Sequence, residues 1–138
     1  MASPALHLHV DPTPLAIVRR AATDEIPSWA FAGPGPAAVV RRDGELSIVC
    51  AQARVPAGEV RAEGWRALEV AGPLALQLTG VLSAIAGPLA AAGIPLFAVS
   101  TSDTDLVLVR QDDLRAAATA LVEAGHRVTR PGDVSRVS

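Results

Sequence analysis

The sequence predicts an α+β fold with antiparallel sheets, and three observations lead to it. From Trp65 to Thr129 the predicted elements follow one another as β-α-β-β-α-β, which is the order of a split βαβ unit. The strand segments alternate apolar and polar residues, or form short apolar runs, between turn-forming residues. The two helical segments repeat apolar residues every three or four positions. This order predicts a four-stranded sheet with both helices on one face.

The first part of the chain contains four predicted strands and little helix. Asp43-Gly44 is a strong signal for a two-residue hairpin turn between two of these strands. One helical turn is expected around Trp29, and at most a short helix is expected between residues 55 and 63. The predicted strands cover residues 6–10, 15–20, 37–42 and 45–51.

The first long helix is expected to begin at Thr79 or Gly80, because the Thr79 hydroxyl can accept hydrogen bonds from the amides of the first turn. Pro88 lacks an amide hydrogen and should bend the helix, and Gly93 suits the position after its last turn. The apolar stripe that we expect to face the core consists of Leu82, Ile85 and Leu89.

Two strands at 94–101 and 105–110 and a second helix at about 111–124 follow. Asp112 and Asp113 fall in the first turn of this helix, where carboxylates suit the helix dipole. Gly125 ends the helix before a last strand at 126–129. The expected apolar face is Leu114, Ala118, Leu121 and Val122, and the expected polar face is Arg115, Thr119 and Glu123.

The chain contains a degenerate internal repeat. The hairpin of residues 39–49 aligns with residues 98–109 once one turn residue is added, and Glu45 then matches Asp105. Each of these carboxylates belongs to the first residue of the strand that follows a polar turn. A repeat should be sought before a fold is assigned. We therefore expect two ferredoxin-like βαββαβ halves, the first degenerate, with residues 1–63 and 64–129 as the halves and 130–138 as a flexible tail.

Composition excludes several functional classes. The 138 residues carry a net charge of −2 without a basic stripe, which argues against nucleic-acid binding. The single Cys50 allows no internal disulfide and no cysteine-based metal site. Glu69 and Asp103 bracket an uncharged span, but Gly and Pro residues cut it into pieces too short for a membrane helix. No signal peptide is recognised, so we expect a cytoplasmic protein.

Catalysis and cofactor binding find no support in the sequence. No nucleophile–base spacing and no glycine-rich phosphate loop stands out, so we expect a protein that is not an enzyme and needs no cofactor. His7 and His9 share one side of a strand, as metal ligands can, but no third ligand is evident nearby, and we expect no metal. The absence of Lys and Asn beside many Arg and Ala residues indicates a GC-rich genome, and we expect a bacterial source.

A candidate binding site lies between Thr79 and Asp105, where a helix start, small polar side chains and a carboxylate occur close together. A helix N-terminus presents unpaired N–H groups and suits a ligand carboxylate. Asp105 or Glu45 can hold an α-ammonium group. Because a zwitterion needs both kinds of partner, this stretch indicates an amino-acid site.

Two motifs resemble a known family. Thr79-Gly80-Val81-Leu82, followed by an apolar helix and Gly93-Ile94-Pro95-Leu96-Phe97, is similar to the start of an ACT domain. Residues 100–109 resemble the Ser-Thr-x-x-Thr-Asp-hydrophobic-hydrophobic-Leu-Val signature of small stand-alone tandem ACT proteins. The family includes the animal cytosolic arginine sensor and the regulatory ends of aspartokinases. Three further segments are similar to the first half of these family members: Ile26-Pro27-x-Trp29, residues 45–50 and Gly64-Trp65-Arg66.

The resemblance implies a regulatory protein that binds an amino acid at an interface between domains, forms a homodimer and acts on a possible regulated enzyme. Many ACT domains carry Asp or Asn where this chain has Thr79, so the ligand's identity stays open. The site residues that we predict are Thr79, Gly80, Val81, Leu82, Ser100, Thr101, Thr104, Asp105 and Glu45.

Two alternative functions remain beside the amino-acid sensor. One is a module that has lost its ligand and only mediates subunit contact, and the other is an accessory subunit that regulates an enzyme in trans. At the level of single residues, the alternative for Asp105 is a hairpin cap, and the alternative for Ser100 and Thr101 is satisfaction of the strand ends.

Overall fold

The computed structural model describes residues 4–72, 74 and 79–131. The chain forms two compact units, which we name by their composition. The inserted unit is Thr13–Trp65, and the composite unit combines Met1–Pro12 with Arg66–Ser138. The expected boundary between residues 63 and 64 lies close to the observed one, but the first twelve residues belong to the composite unit.

The elements agree in kind and order with the α+β class predicted from the sequence. Three 3₁₀ helices cover Ser28–Phe31, Gln52–Arg54 and Gln111–Asp113. The α-helices are α1 (Val81–Ala91) and α2 (Leu114–Glu123). The strands are β1 (His7–Val10), β2 (Leu15–Arg20), β3 (Ala38–Arg42), β4 (Glu45–Ala51), β5 (Arg61–Val70), β6 (Phe97–Ser100), β7 (Asp105–Arg110) and β8 (Arg127–Thr129).

The sheet of the composite unit has the strand order β6-β7-β5-β1-β8. Leu8 of β1 pairs with Val70 in the antiparallel ladder to β5 and with Val128 in the parallel ladder to β8. The prediction of a four-stranded sheet is therefore wrong. The sheet of this unit has a fifth strand, β1, which lies between β5 and β8. Leu8 and Val10 of β1 both enter the core of this unit, as their alternation with histidines predicts for a half-buried strand.

Both helices of the composite unit pack on one face of its sheet, as predicted. Leu68 and Val70 of β5 point inward, in agreement with the alternation in the sequence. Burying such side chains stabilises the fold by about 1.5–3 kcal/mol each. The buried cluster consists of Leu8, Val10, Leu68, Val70, Val81, Ile85, Leu89, Ile94, Val107, Val109, Ala117 and Leu121.

The helix faces differ from the expected ones at one position in each helix. In α1, Val81 is buried and Leu82 is 38% exposed, because the helix begins at Val81 and its inward stripe runs through positions 81, 85 and 89. In α2, Val122 is expected to be buried but is 54% exposed. Ala117, which is not among the predicted apolar residues, is buried on the inward face instead. The polar face of α2 is exposed as predicted.

Both helices end in the same way at the predicted glycines. Gly93 and Gly125 adopt φ of +74° and +99°, which lets the chain reverse without a steric penalty. The next residue then donates its amide to a carbonyl of the last turn, Ile94 to Leu89 and His126 to Leu121. Gly93 and Gly125 thus end their helices, and the residue after each glycine is buried.

The inserted unit has the strand order β3-β4-β2-β5, with residues 61–65 of β5 as its last strand. The predicted Asp43-Gly44 hairpin is present, with Arg42 paired to Glu45 and Gly44 at φ +92°. Residues 55–63, for which at most a short helix is expected, contain no helix, and β5 begins at Arg61. The buried cluster is Ala16, Val18, Ala30, Leu46, Ile48 and Cys50, against which Trp29, Val39 and Val55 pack.

Within the described residues, no helix has the length and apolar character that crossing a membrane requires. The predicted site residues Thr79–Leu82 are described, whereas the tail from residue 132 onward lies outside the described residues.

Candidate functional site

Gly80 is the N-cap residue of helix α1 and adopts the left-handed conformation at φ +83° and ψ −3°. Its carbonyl accepts the first helical hydrogen bond, from the amide of Ala84 at 2.9 Å. The predicted Thr79 cap is wrong, because no side chain of the described residues caps this helix and its first turn holds no acidic residue. The first-turn amides therefore lack a side-chain acceptor among the described residues, as an anion-binding helix start requires.

The β6–β7 hairpin is built around the Thr101 hydroxyl. Its oxygen accepts hydrogen bonds from the amides of Asp103, at 3.2 Å, and Thr104, at 3.1 Å. The Thr101 amide donates to the Thr104 carbonyl at 2.8 Å and closes the turn. Thr101 thus stabilises the loop conformation, which is the structural role considered for it from the sequence.

Thr104 fixes this hairpin to the neighbouring strand. Its hydroxyl donates to the Val70 carbonyl at 2.7 Å, at the end of β5 from which the chain leads into α1. The amide of Leu74 donates to the Asp103 carbonyl at 2.6 Å. A Cβ atom at Gly72 would lie 2.9 Å from the Leu74 amide and 3.3 Å from the Asp103 carbonyl. Glycine at position 72 thus permits the close approach of the two loops.

Asp105 is half-buried at the first position of β7, directly opposite Ser100 of β6. The Ser100 hydroxyl donates to Asp105 Oδ1 at 2.6 Å. No cationic side chain of the described part of the chain forms an ion pair with Asp105. The carboxylate is therefore oriented by a neutral donor, and its negative charge is not neutralised by the described residues.

Glu45 occupies the equivalent hairpin position in the inserted unit, opposite Arg42. Arg42 Nε donates to Glu45 Oε1 at 2.6 Å, so this carboxylate carries an ion pair. The alignment of Glu45 with Asp105 is thus matched by the same register position in two hairpins. The two carboxylates differ in their partner, a guanidinium for Glu45 and a hydroxyl for Asp105.

A pocket of about 380 Å³ opens beside the β6–β7 hairpin. Among the predicted residues, Thr101 and Thr104 line it, whereas Thr79–Leu82, Ser100 and Asp105 are not part of its described lining. Four further lining residues are not among the predicted ones: Glu69, Gly72, Asp103 and Leu106. Glu69 could have been found, because strand alternation places it on the sheet face opposite the inward-facing Leu68 and Val70.

Both ring nitrogens of His7 have hydrogen-bond partners on β8. His7 Nδ1 lies 2.9 Å from Arg127 Nη2, and His7 Nε2 lies 2.5 Å from the Thr129 hydroxyl. Desolvation, together with repulsion from His9 and Arg127, lowers the pKa of His7. Burial raises the pKa of the Cys50 thiol. Within the described residues, no group of three His, Cys, Asp or Glu side chains is placed to hold a metal ion.

Two protein-family models match this chain. A family model described as ACT domain matches residues 60–123, and a second model, described as an N-terminal domain, matches residues 15–58. The chain has no significant match among proteins with curated descriptions.

Solved structures share this fold over most of the chain. A crystal structure of an Agobacterium tumefaciens protein is 38% identical, with a TM-score of 0.87 over 93% of this chain and 95% of that one. A Vibrio cholerae protein of unknown function, titled a possible transport protein, is 18% identical, with a TM-score of 0.67 over 88% and 91%. The regulatory subunit of aspartate kinase from Thermus flavus is 12% identical, with a TM-score of 0.59 over 90% and 99%.

The α+β fold, the glycine-initiated helix and the polar hairpin define a small protein of the ferredoxin-like class. The chain belongs to the ACT-domain family. The resemblance recognised in the motifs at residues 79–82 and 100–109 is thereby confirmed.

Proposed function

We propose that this protein is a small regulatory protein that binds an amino acid at its composite unit. Asp105 holds the α-ammonium group of the ligand, and the first amides of α1 hold its carboxylate. The main support for the proposal is the environment of the Asp105 carboxylate. Ser100 orients it, and it has no ion-pair partner among the described residues.

Electrostatics supports this assignment of roles. A half-buried carboxylate without a protein cation gains more from an ammonium group than a carboxylate already paired with arginine, because the latter must first lose its partner. Glu45 is paired with Arg42, so we place the ligand's ammonium group on Asp105 and not on Glu45. At the helix start, the absence of an acidic first-turn residue leaves the positive end of the dipole to the ligand carboxylate.

The remaining predicted residues shape the site. Thr101 and Thr104 hold the hairpin and tie it to the end of β5, while Gly80 gives α1 its uncapped start. Thr79, Val81 and Leu82 flank this start and contribute backbone groups. We place the site at an interface at which a second domain completes it, as the family's mode of binding implies.

The biological role that we propose is control of an enzyme by an amino acid, without catalysis or a cofactor, in the cytoplasm. The Thermus flavus neighbour is titled a regulatory subunit of aspartate kinase, which supports a regulatory role for the shared fold. The alternative is a module that forms subunit contacts without a ligand. The exposed Leu82 and Val122 on the helix layer favour such contacts.

A thermal-shift screen of the purified protein against the common amino acids tests the proposal. A ligand at a hundredfold excess over its Kd stabilises the fold by about 2.7 kcal/mol. We expect Asp105→Asn, which keeps a Ser100 acceptor but removes the charge, to lose this shift while its melting temperature without ligand stays near that of the wild type. Glu25→Gln alters an exposed carboxylate outside the proposed site and is the control.

The outcomes separate the alternatives. A shift with one amino acid that survives in Glu25→Gln and disappears in Asp105→Asn supports the sensor. A shift that is unchanged in Asp105→Asn places the ligand elsewhere. The absence of a shift with every amino acid refutes the sensor and leaves the contact module.

A further inference from the structure

The exposed side of α2 forms a shallow charged surface outside the candidate amino-acid site. We call it the α2 surface, and it consists of Asp112, Arg115, Ala116, Thr119, Ala120 and Glu123. Together with Ala92, which follows α1, these residues line a hollow of about 530 Å³. The alanine side chains at positions 116 and 120 leave room for another backbone to approach closely.

The charges of the α2 surface are unpaired within the described part of the chain. Arg115 and Glu123 are exposed, and neither forms a salt bridge with a described residue. They lie four residues on either side of Thr119, which corresponds to about 6 Å along the axis in each direction. Opposite charges at equal distances from one central residue make a surface that is complementary to its own two-fold copy.

We propose that the α2 surface binds the α2 surface of a second copy of this chain, with the two helices antiparallel about a two-fold axis at Thr119. Arg115 of each copy faces Glu123 of the other, which gives two ion pairs for one interface. The same register places the exposed Val122 of one copy beside Ala116 of the other and removes its apolar surface from water.

The charge pattern also disfavours the competing arrangements. A parallel pair would place Arg115 against Arg115 and Glu123 against Glu123. An antiparallel pair centred between Ala116 and Thr119 would place Asp112 against Glu123. Both alternatives bring like charges together, so repulsion selects the register centred on Thr119.

A charge-reversal cycle measured by sedimentation velocity, without added amino acids, tests the interface. We expect the wild type to dimerise, and Arg115→Glu and Glu123→Arg each to weaken self-association by at least about tenfold, because each turns two attractive contacts into repulsive ones. The double variant Arg115→Glu/Glu123→Arg restores both pairs with reversed polarity and is expected to recover the dimer. Glu25→Arg, an exposed reversal in the inserted unit, serves as the control.

Three results would overturn the inference. These are a wild type that stays monomeric at every concentration, single variants that dimerise like the wild type, and a double variant as weak as the singles. The substituted positions are exposed, and circular dichroism checks that each variant remains folded. The test is independent of ligand binding, so its failure leaves the proposed amino-acid site untouched.

Discussion

At the residue scale, the two glycines Gly80 and Gly87 of the α1 region differ in the backbone conformation that they adopt. Gly80 starts α1 with φ +83°, a conformation that L-residues adopt at a cost of about 1–2 kcal/mol. Gly87 lies inside α1 and is exposed, and apart from its chain neighbours and the backbone of its own helix no atom lies within 4 Å of the place that a Cβ would take. Space is available at Gly80 as well, where the nearest atom is Pro4 Cδ at 3.9 Å, so the difference between the two sites is conformational.

We therefore expect Gly80→Ala to lower the free energy of unfolding by about 1 kcal/mol, because alanine is strained in the left-handed region. Gly87→Ala should cost less than Gly80→Ala, because the higher helix propensity of alanine offsets the contact of its Cβ with the ring of the following Pro88. Urea denaturation of both variants measures the contrast. Equal effects of the same sign would contradict a left-handed start of α1 at Gly80.

The sequence predicts single-residue roles correctly where they depend on local backbone conformation. It does not predict them where they depend on the residue at which a helix begins. Gly93 and Gly125 were identified as helix ends because glycine at such a place has a local backbone reason. Thr79 was chosen as the cap because threonine is a good capping residue in general. The chain instead starts the helix with Gly80, and this start brings Val81 rather than Leu82 to the buried face.

At the element scale, a buried histidine compensates for the proline in α1. Pro88 lacks the amide that would donate to the Ala84 carbonyl four residues earlier. His126 Nε2 lies 2.9 Å from this carbonyl, and His126 Nδ1 accepts the Leu6 amide at 3.1 Å, so Nε2 carries the proton and donates to Ala84. One imidazole, 7% exposed, thereby satisfies two backbone groups, and α1 continues through Pro88 to Ala91.

A double-mutant cycle between positions 88 and 126 tests this compensation. His126→Ala leaves the Leu6 amide and the Ala84 carbonyl unsatisfied and should cost about 1–3 kcal/mol or more. In a Pro88→Ala background the helix can supply its own donor to Ala84, so the same change should cost about 1 kcal/mol less. Chemical denaturation of the four proteins gives the coupling. Additive effects would show that His126 does not act through Ala84.

The elements themselves were accessible from the sequence, whereas their pairing was not. The alternation of Leu8 and Val10 with histidines predicted a half-buried strand, and that strand exists as β1. Its neighbours β5 and β8 lie far along the chain, and period-two alternation contains no information about which strand pairs with which. The same holds for the pocket, since Glu69 and Thr101 come together only through strand pairing.

At the scale of the whole molecule, β1 makes the ACT-containing unit discontinuous in sequence. Leu8 and Val10 are 0% and 5% exposed in its core, and β1 pairs with both β5 and β8. Losing two such buried side chains removes about 3–6 kcal/mol, a large share of the roughly 5–15 kcal/mol that stabilises an ordinary domain. The half expected from the sequence, residues 64–129, lacks this strand.

We therefore expect a fragment of residues 64–131 to lack a cooperative thermal transition in circular dichroism, because β8 has lost its strand partner and the core is open. A permutant that joins residue 131 through a long flexible linker to residues 4–12 should fold, since it restores β1 to the same unit. The linker must be long, because β1 and β8 are parallel and the chain has to cross back between them. Leu8→Asp in the permutant is the matched control and should abolish the transition, because it buries an unpaired charge. A fragment 64–131 that melts cooperatively by itself would show that the ACT-containing half is complete without β1, and that the twelve N-terminal residues are an accessory to this fold rather than a part of its core.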